Sequence, residues 1–286
     1  MGTMLAATLA YRELPVHWVV RNQLRREEIQ DLRLVYQAGD YTPSFGPFRF
    51  YPDVADLPVE LDWVILAVKA HQVLPLVDRT QAATKAQILI VANGLHQVNA
   101  HLGLLYGGAL YQRCQVSVSP EAKLLIGRLG DEESHHATIV DYLNAPWLAC
   151  GGNSNITIRM WHKLALNCVV NPLTALLDCE NGELPHGAAS PLILNLLDEV
   201  HQVALLEHGE YWTYSLDQLL ADLNSLLAET ADNSSSMRED VLHGRETEVN
   251  GLNRAIAALG RQHGVPCIYN ESIGKMLGAL TNKRHP

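Results

Sequence analysis

The chain has 286 residues, 48% hydrophobic and 18% charged, which is enough for about two domains with folded cores. A formal net charge of −10 argues against a nucleic-acid-binding face, which must be basic. No apolar run reaches the roughly 18 residues that span a bilayer, and Met1–Tyr11 lacks the positive charge that leads a signal peptide, so the expected address is the cytoplasm.

The chain opens Met1-Gly2-Thr3, followed by a helical candidate over Thr3–Arg12. Val16–Val20, Trp63–Val68 and Gln87–Val91 are short runs rich in β-branched residues, the pattern of strands covered on both faces in a parallel sheet. A second helical candidate, Ala70–Thr80, falls between the latter two. This alternation predicts an α/β fold, a Rossmann-like doubly wound parallel sheet over residues 1–152. Gly151-Gly152-Asn153 reads as the turn that ends it. Beyond it the sequence predicts helices over Ile156–Leu177, Leu192–His208, Leu216–Glu229 and Ser236–Gly260, an all-α second domain over residues 153–286.

The five cysteines are widely spaced with no C-x-x-C pair, which predicts free and mostly buried thiols. Thirteen histidines, including His135-His136 and His201 with Glu207-His208, show no metal-ligand spacing, and no metal is expected.

Ligands of open parallel sheets bind outside the carboxyl ends of the strands. Three candidate strands end there in polar groups: Arg21, Lys69, and Asn93-Gly94. A cation past the second strand of a dinucleotide fold pairs with a 2′-phosphate and favours NADP over NAD. Arg21 equally suits a strand end in solvent, and Asn93-Gly94 a simple turn. A dinucleotide fingerprint needs strand, G-x-G-x-x-G, then helix. Gly2 and the helix after it read as the last part of that fingerprint, with the first strand missing.

In the second domain Lys163, Asn167 and Asn171 recur at i, i+4 and i+8, lining one helix face with a drift of about 40° per step. Asparagine is a poor helix former, so this stripe suits a desolvated pocket better than a wetted face. Pro172 is expected to disturb the helix and free backbone groups near Asn171. Ser236 with Glu239 fits a capping box, a role compatible with a carboxylate site at the helix start. Glu248 lies in a charged run, the usual setting of a solvated residue.

Together Lys69-Ala70-His71-Gln72, Asn93-Gly94, Lys163 through Leu176, Asn181-Gly182-Glu183-Leu184, and Ser235-Ser236-Met237 through Glu248 resemble the ketopantoate reductase family. The resemblance implies an NADPH-dependent oxidoreductase that reduces 2-dehydropantoate to pantoate. It makes Lys163 the general acid that protonates the carbonyl oxygen, with Asn93, Lys163, Asn167, Asn171, Asn181 and Ser236 holding the substrate. It places Gly2, Arg21, Lys69, Asn93 and Glu248 at the cofactor. The stretch Gly107–Gly127 is shorter than the family's, and no residue is carried over there. Two alternatives remain: a reductase of another branched 2-oxo acid, or a non-catalytic paralogue that binds no cofactor. The partial fingerprint further predicts that Met1 is internal and that translation starts roughly ten residues upstream. A chain beginning at Met1 is then expected to aggregate and to lack saturable NADPH binding.

Overall fold

The computed structural model of the chain describes residues 1–20, 27, 33–36, 39–41, 48–96, 98–112, 115–128, 136–186 and 190–284. Arg21, Cys114 and His135 lie outside them. Two compact units divide the chain, Met1–Ala92 with Gln97–Ile156, and Asn93–His96 with Thr157–Pro286.

The first unit is α/β. It starts with α1 (Gly2–Tyr11), β1 (His17–Val19), β2 (Arg33–Tyr36), β3 (Gly39–Tyr41), β4 (Arg49–Tyr51) and a 3-10 turn at Val54–Asp56. There follow β5 (Trp63–Leu66), α2 (Ala70–Ala83), β6 (Gln87–Ile90), β7 (His101–Tyr106), β8 (Ala109–Gln112) and β9 (Gln115–Val118). The unit closes with β10 (Lys123–Gly127), α3 (Ala137–Leu143) and β11 (Ala149–Gly152). The predicted strands and helices of this half are present within a few residues of their expected ends.

The main sheet has the order β11-β10-β7-β6-β5. β5, β6 and β7 run parallel, and β10 turns antiparallel to β7. Leu89 and Ile90 on opposite faces of β6 are both buried, which is why that strand is apolar without alternation. Two smaller sheets, β3-β2-β9-β8 and the parallel pair β1-β4, complete the unit. The sheet is thus less uniformly parallel than expected, because β7 to β10 are antiparallel segments joined by short connections rather than helices. Gly151-Gly152 is also corrected: both glycines belong to β11, paired in parallel with β10, so the predicted break falls later. Added Cβ atoms at Gly151 would meet nothing, which explains how an edge strand tolerates glycine there.

α1 is buried nearly all round. Its Met4, Leu5 and Ala7 pack with Leu89, Leu124, Ile139 and Trp147. Small residues let it sit this deep, and the Trp147 indole donates to Thr8 Oγ1 at 2.9 Å.

The second unit is helical, and among the described residues no strand follows Gly152. It contains α4 (Ile156–Leu177), a 3-10 turn (Asn181–His186), α5 (Ser190–His208), α6 (Leu216–Glu229), α7 (Ser236–Leu242), α8 (Asn253–His263) and α9 (Ile268–Arg284). The single helix expected over Ser236–Gly260 is instead α7 and α8. Gly244, at φ +63°, ends the first, and the Arg245 amide and guanidinium turn back to Asp240.

Pro172 does not end α4, which runs on to Leu177. A proline in mid-helix leaves the carbonyl four residues back without its donor. That carbonyl is Cys168 O, and the buried side chain of Asn253 donates to it at 2.8 Å. The freed group is therefore one turn before Asn171, and α8 satisfies it.

Candidate active site

α4 presents Lys163, Asn167 and Asn171 along one face. Asn171 is buried, and Lys163 and Asn167 are half-buried, so the stripe lies in a desolvated setting. Lys163 Nζ donates to Asn93 Oδ1 at 3.3 Å, and Asn93 Nδ2 donates to Glu248 Oε2 at 2.9 Å. Lysine, amide and carboxylate thus form a relay within the second unit, to which Asn93–His96 belongs. Glu248 is half-buried rather than solvated, as its charged neighbourhood suggested.

Two loops hold this relay. Gly94 has φ +90°, and a Cβ there would stand 2.6 Å from the carbonyl oxygen of Gly251. Only glycine fits both the left-handed conformation and the close approach. The Gly251 amide in turn donates to Glu248 O at 2.9 Å, closing the turn that carries the carboxylate.

Burial pushes the Lys163 ammonium down to about 8 from 10.5, and the Glu248 carboxylate opposes the shift. Taking a cation from water disfavours its charged form, whereas a nearby anion favours it. A lysine so poised gives and takes a proton near neutral pH, the property that general acid catalysis demands.

Asn181 belongs to a local network of its own, in the 3-10 turn after α4. Asn181 is buried, its Nδ2 donates to Thr230 Oγ1 at 3.0 Å, and among the described residues its Oδ1 has no partner. Gly182 permits this loop to lie against Ala231, whose Cβ would be 2.7 Å from an added Cβ. The capping assignment for Ser236 is corrected. Ser235 caps α7, accepting from the Arg238 amide at 3.1 Å and lying 2.6 Å from Thr174 Oγ1. The cap thus falls one residue earlier than the S-x-x-E pattern implies, with Arg238 rather than Glu239 at the third helical position, and Ser236 is left exposed. Thr174, one turn beyond Asn171, ties α4 to the start of α7. Neither Thr174 nor Gly251 was singled out from sequence. For Thr174 the i+11 spacing from Lys163 was the available signal, and for Gly251 there was none.

In the first unit Gly2 begins α1 and Lys69 stands at the N-cap of α2, just past β5. An added Cβ at Gly2 would lie 3.4 Å from Ala67 Cβ, so the amino end of α1 meets the carboxyl end of β5. No side chain caps α1 and its first turn carries no acid. An anion suits such a helix end.

The family profile described as ketopantoate reductase PanE/ApbA matches residues 1–119, and its C-terminal companion matches residues 155–281. A 2-dehydropantoate 2-reductase of Vibrio cholerae is 29% identical, over 82% of this chain and 83% of its own length. The enzyme of that name from Salmonella typhimurium is 30% identical over 78% and 75%. Among solved structures, D-mandelate dehydrogenase with NADH and anilino(oxo)acetate superposes with a TM-score of 0.84, at 20% identity over 99% and 96% of the two chains. A PanE/ApbA family ketopantoate reductase from Ralstonia eutropha gives 0.81, at 20% identity over 99% and 95%. The structural neighbours establish the fold alone, and the profiles with the sequence relatives go further: this chain belongs to the ketopantoate reductase family.

Proposed function

We propose that the chain reduces 2-dehydropantoate to pantoate with NADPH in the cytoplasm, and that Lys163 is its general acid. The observation that carries this reading is Lys163 itself, half-buried, held by Asn93 and poised near neutral pH. The nicotinamide supplies a hydride to the carbonyl carbon. Lys163 donates its proton to the carbonyl oxygen, so no free alkoxide forms. Asn93 fixes the ammonium, and Glu248 fixes Asn93 and keeps Lys163 protonated in the resting state. Asn93, Asn167, Asn171, Asn181 and Ser236 orient the carboxylate and hydroxyl groups of the substrate beside Lys163. On the cofactor side Gly2 receives the pyrophosphate, Lys69, Asn93 and Glu248 meet the nicotinamide half, and Arg21 pairs with the 2′-phosphate.

The test is steady-state kinetics with both substrates varied. Lys163→Ala is expected to lower kcat by about 10²–10⁴-fold and to leave NADPH affinity nearly intact. Equal turnover would remove Lys163 from the mechanism. Arg21→Ala is expected to abolish the preference for NADPH over NADH, and a retained preference would remove Arg21 from the 2′-phosphate.

A further inference from the structure

The start of α7 is held to α4 by a chain of buried hydroxyls. Thr174 and Ser235 are both buried, and their Oγ atoms lie 2.6 Å apart. Thr174 Oγ1 is also 2.7 Å from the Val170 carbonyl oxygen, one turn back in α4. Ser235 Oγ accepts from the Arg238 amide at 3.1 Å. Each hydroxyl carries one proton. A serine oxygen that already receives the Arg238 proton has its own to give to Thr174, and Thr174 has its own to give to Val170 O. The chain therefore runs one way, from an amide through two hydroxyls to a carbonyl, and both hydroxyls are satisfied without water. Asn171 stands one turn before Thr174 on the same face of α4, and Ser236 directly follows Ser235. A second set of bonds holds the segment before α7. The Asn181 and Gly182 amides donate to the Asn233 and Ala231 carbonyls at 3.1 and 3.0 Å. That segment is thus pinned to the 3-10 turn at one end and to α4 at the other.

We propose that Thr174 and Ser235 are positioning residues for the 2-oxo acid: their bond sets the spacing between Asn171 on α4 and Ser236 on α7, and hence the fit of the site around its substrate. The proposal rests on the reading that Asn171 and Ser236 hold the substrate. Both hydroxyls are spent on each other and on main chain, so the pair acts through its neighbours rather than by touching a ligand. Burial makes the link exacting, because a hydroxyl deprived of its partner finds no water to replace it. α7 has only seven residues, too few to keep its place by intrahelical bonds alone. Met237 and Val241 seat it in the apolar core, but apolar contact has no direction and fixes no register. A further tie to the end of α4 is Arg238 Nε, which donates to Asp178 Oδ1 at 2.9 Å at the surface. Water and side-chain freedom compete with an exposed ion pair, so it holds geometry loosely. Of the two ties, the hydroxyl pair sets the register.

The experiment is steady-state kinetics with 2-dehydropantoate and NADPH varied, beside a thermal melt of each variant. Thr174→Val keeps the shape of the side chain and removes the hydroxyl. Its KM for 2-dehydropantoate is expected to rise about tenfold, while kcat and the KM for NADPH stay within about twofold of the parent's. The falling limb of kcat/KM above about pH 8 should not move, because Lys163 keeps its surroundings. Thr174→Ser retains the hydroxyl and should restore KM. Ser235→Ala breaks the same bond from the other side, and carries the same expectation should Thr174→Val not fold. Because the two changes remove one bond, KM in the double variant should rise by less than the product of the single effects. Arg238→Ala leaves the capped amide in place and should keep KM near the parent's. A lowered melting temperature with KM unchanged would make the pair structural only and overturn the proposal. So would a loss of kcat at constant KM, a failure of Thr174→Ser to restore KM, or an equal rise in Arg238→Ala. A folded parent that reduces no 2-dehydropantoate would defeat the catalytic reading itself, whereas an unchanged KM in an active series defeats only the positioning role.

Discussion

Lys163 works against the stability of the chain that carries it. With its value near 8 in the fold and near 10.5 when exposed, the folded chain binds fewer protons than the unfolded chain between those limits. Stability therefore rises with pH across that window, and the cost of the buried cation is fully present below it. Lys163→Met keeps the volume without the charge. It is expected to melt at or above the parent's temperature at pH 7 and to lose the slope between pH 8 and 10.5, while its turnover collapses. Urea titrations at several pH values check this. For the parent, kcat/KM should be level at lower pH and fall about tenfold per unit above about 8, as the acid loses its proton. Glu248→Gln removes the charge that holds the value up, so the falling limb should move to lower pH. An unmoved limb would mean that another group titrates. At this scale Lys163 and the asparagine stripe were legible because polar residues on an apolar helix contradict the ordinary solvent-facing composition. Thr174, Ser235 and Gly251 were not, since a hydroxyl contact or a close backbone approach between distant segments leaves no periodic trace.

The α4–α8 contact shows how an element survives a residue that ought to break it. Asn253 substitutes for the missing amide of Pro172 at Cys168 O, and is anchored by Asn270 Oδ1 at 2.9 Å. Asn253→Ala should cost about 1–3 kcal/mol, the penalty for a buried carbonyl left without a donor. In a Pro172→Ala background the cost should be smaller, because the new amide at 172 takes that carbonyl. A double-mutant cycle by chemical denaturation measures the coupling, and additive losses would disprove the substitution. Strands β1, β5 and β6 and helices α1, α2, α4, α5 and α6 could be read from periodicity, since each has one dominant pattern along its length. The α7–α8 break could not: its charged run continues helically, and only the left-handed Gly244 with the Arg245–Asp240 pairing interrupts it.

Two compact units imply two cores, one of α1 with the main sheet and one of α4 to α9. Small single domains unfold in one cooperative step, whereas chains with separate cores often do not. Differential scanning calorimetry is expected to give a calorimetric enthalpy above the van't Hoff value, and equality would show the units to unfold as one. The α/β half followed by a helical half was legible from the loss of β-branched runs past residue 152. The membership of Asn93–His96 in the helical unit was not, because that segment leaves β6 as any loop would.

That membership bears on how such a chain can be recombined. The helical unit is discontinuous: a four-residue segment, Asn93–His96, is inserted into the sequence of the α/β unit. A chimera spliced at a single point near residue 152 would pair a native Lys163 and Glu248 with a foreign residue at 93. The crossover that preserves the relay is a double one, carrying Asn93-Gly94 along with the helices, so shuffling by whole halves would yield folded hybrids with a misplaced acid.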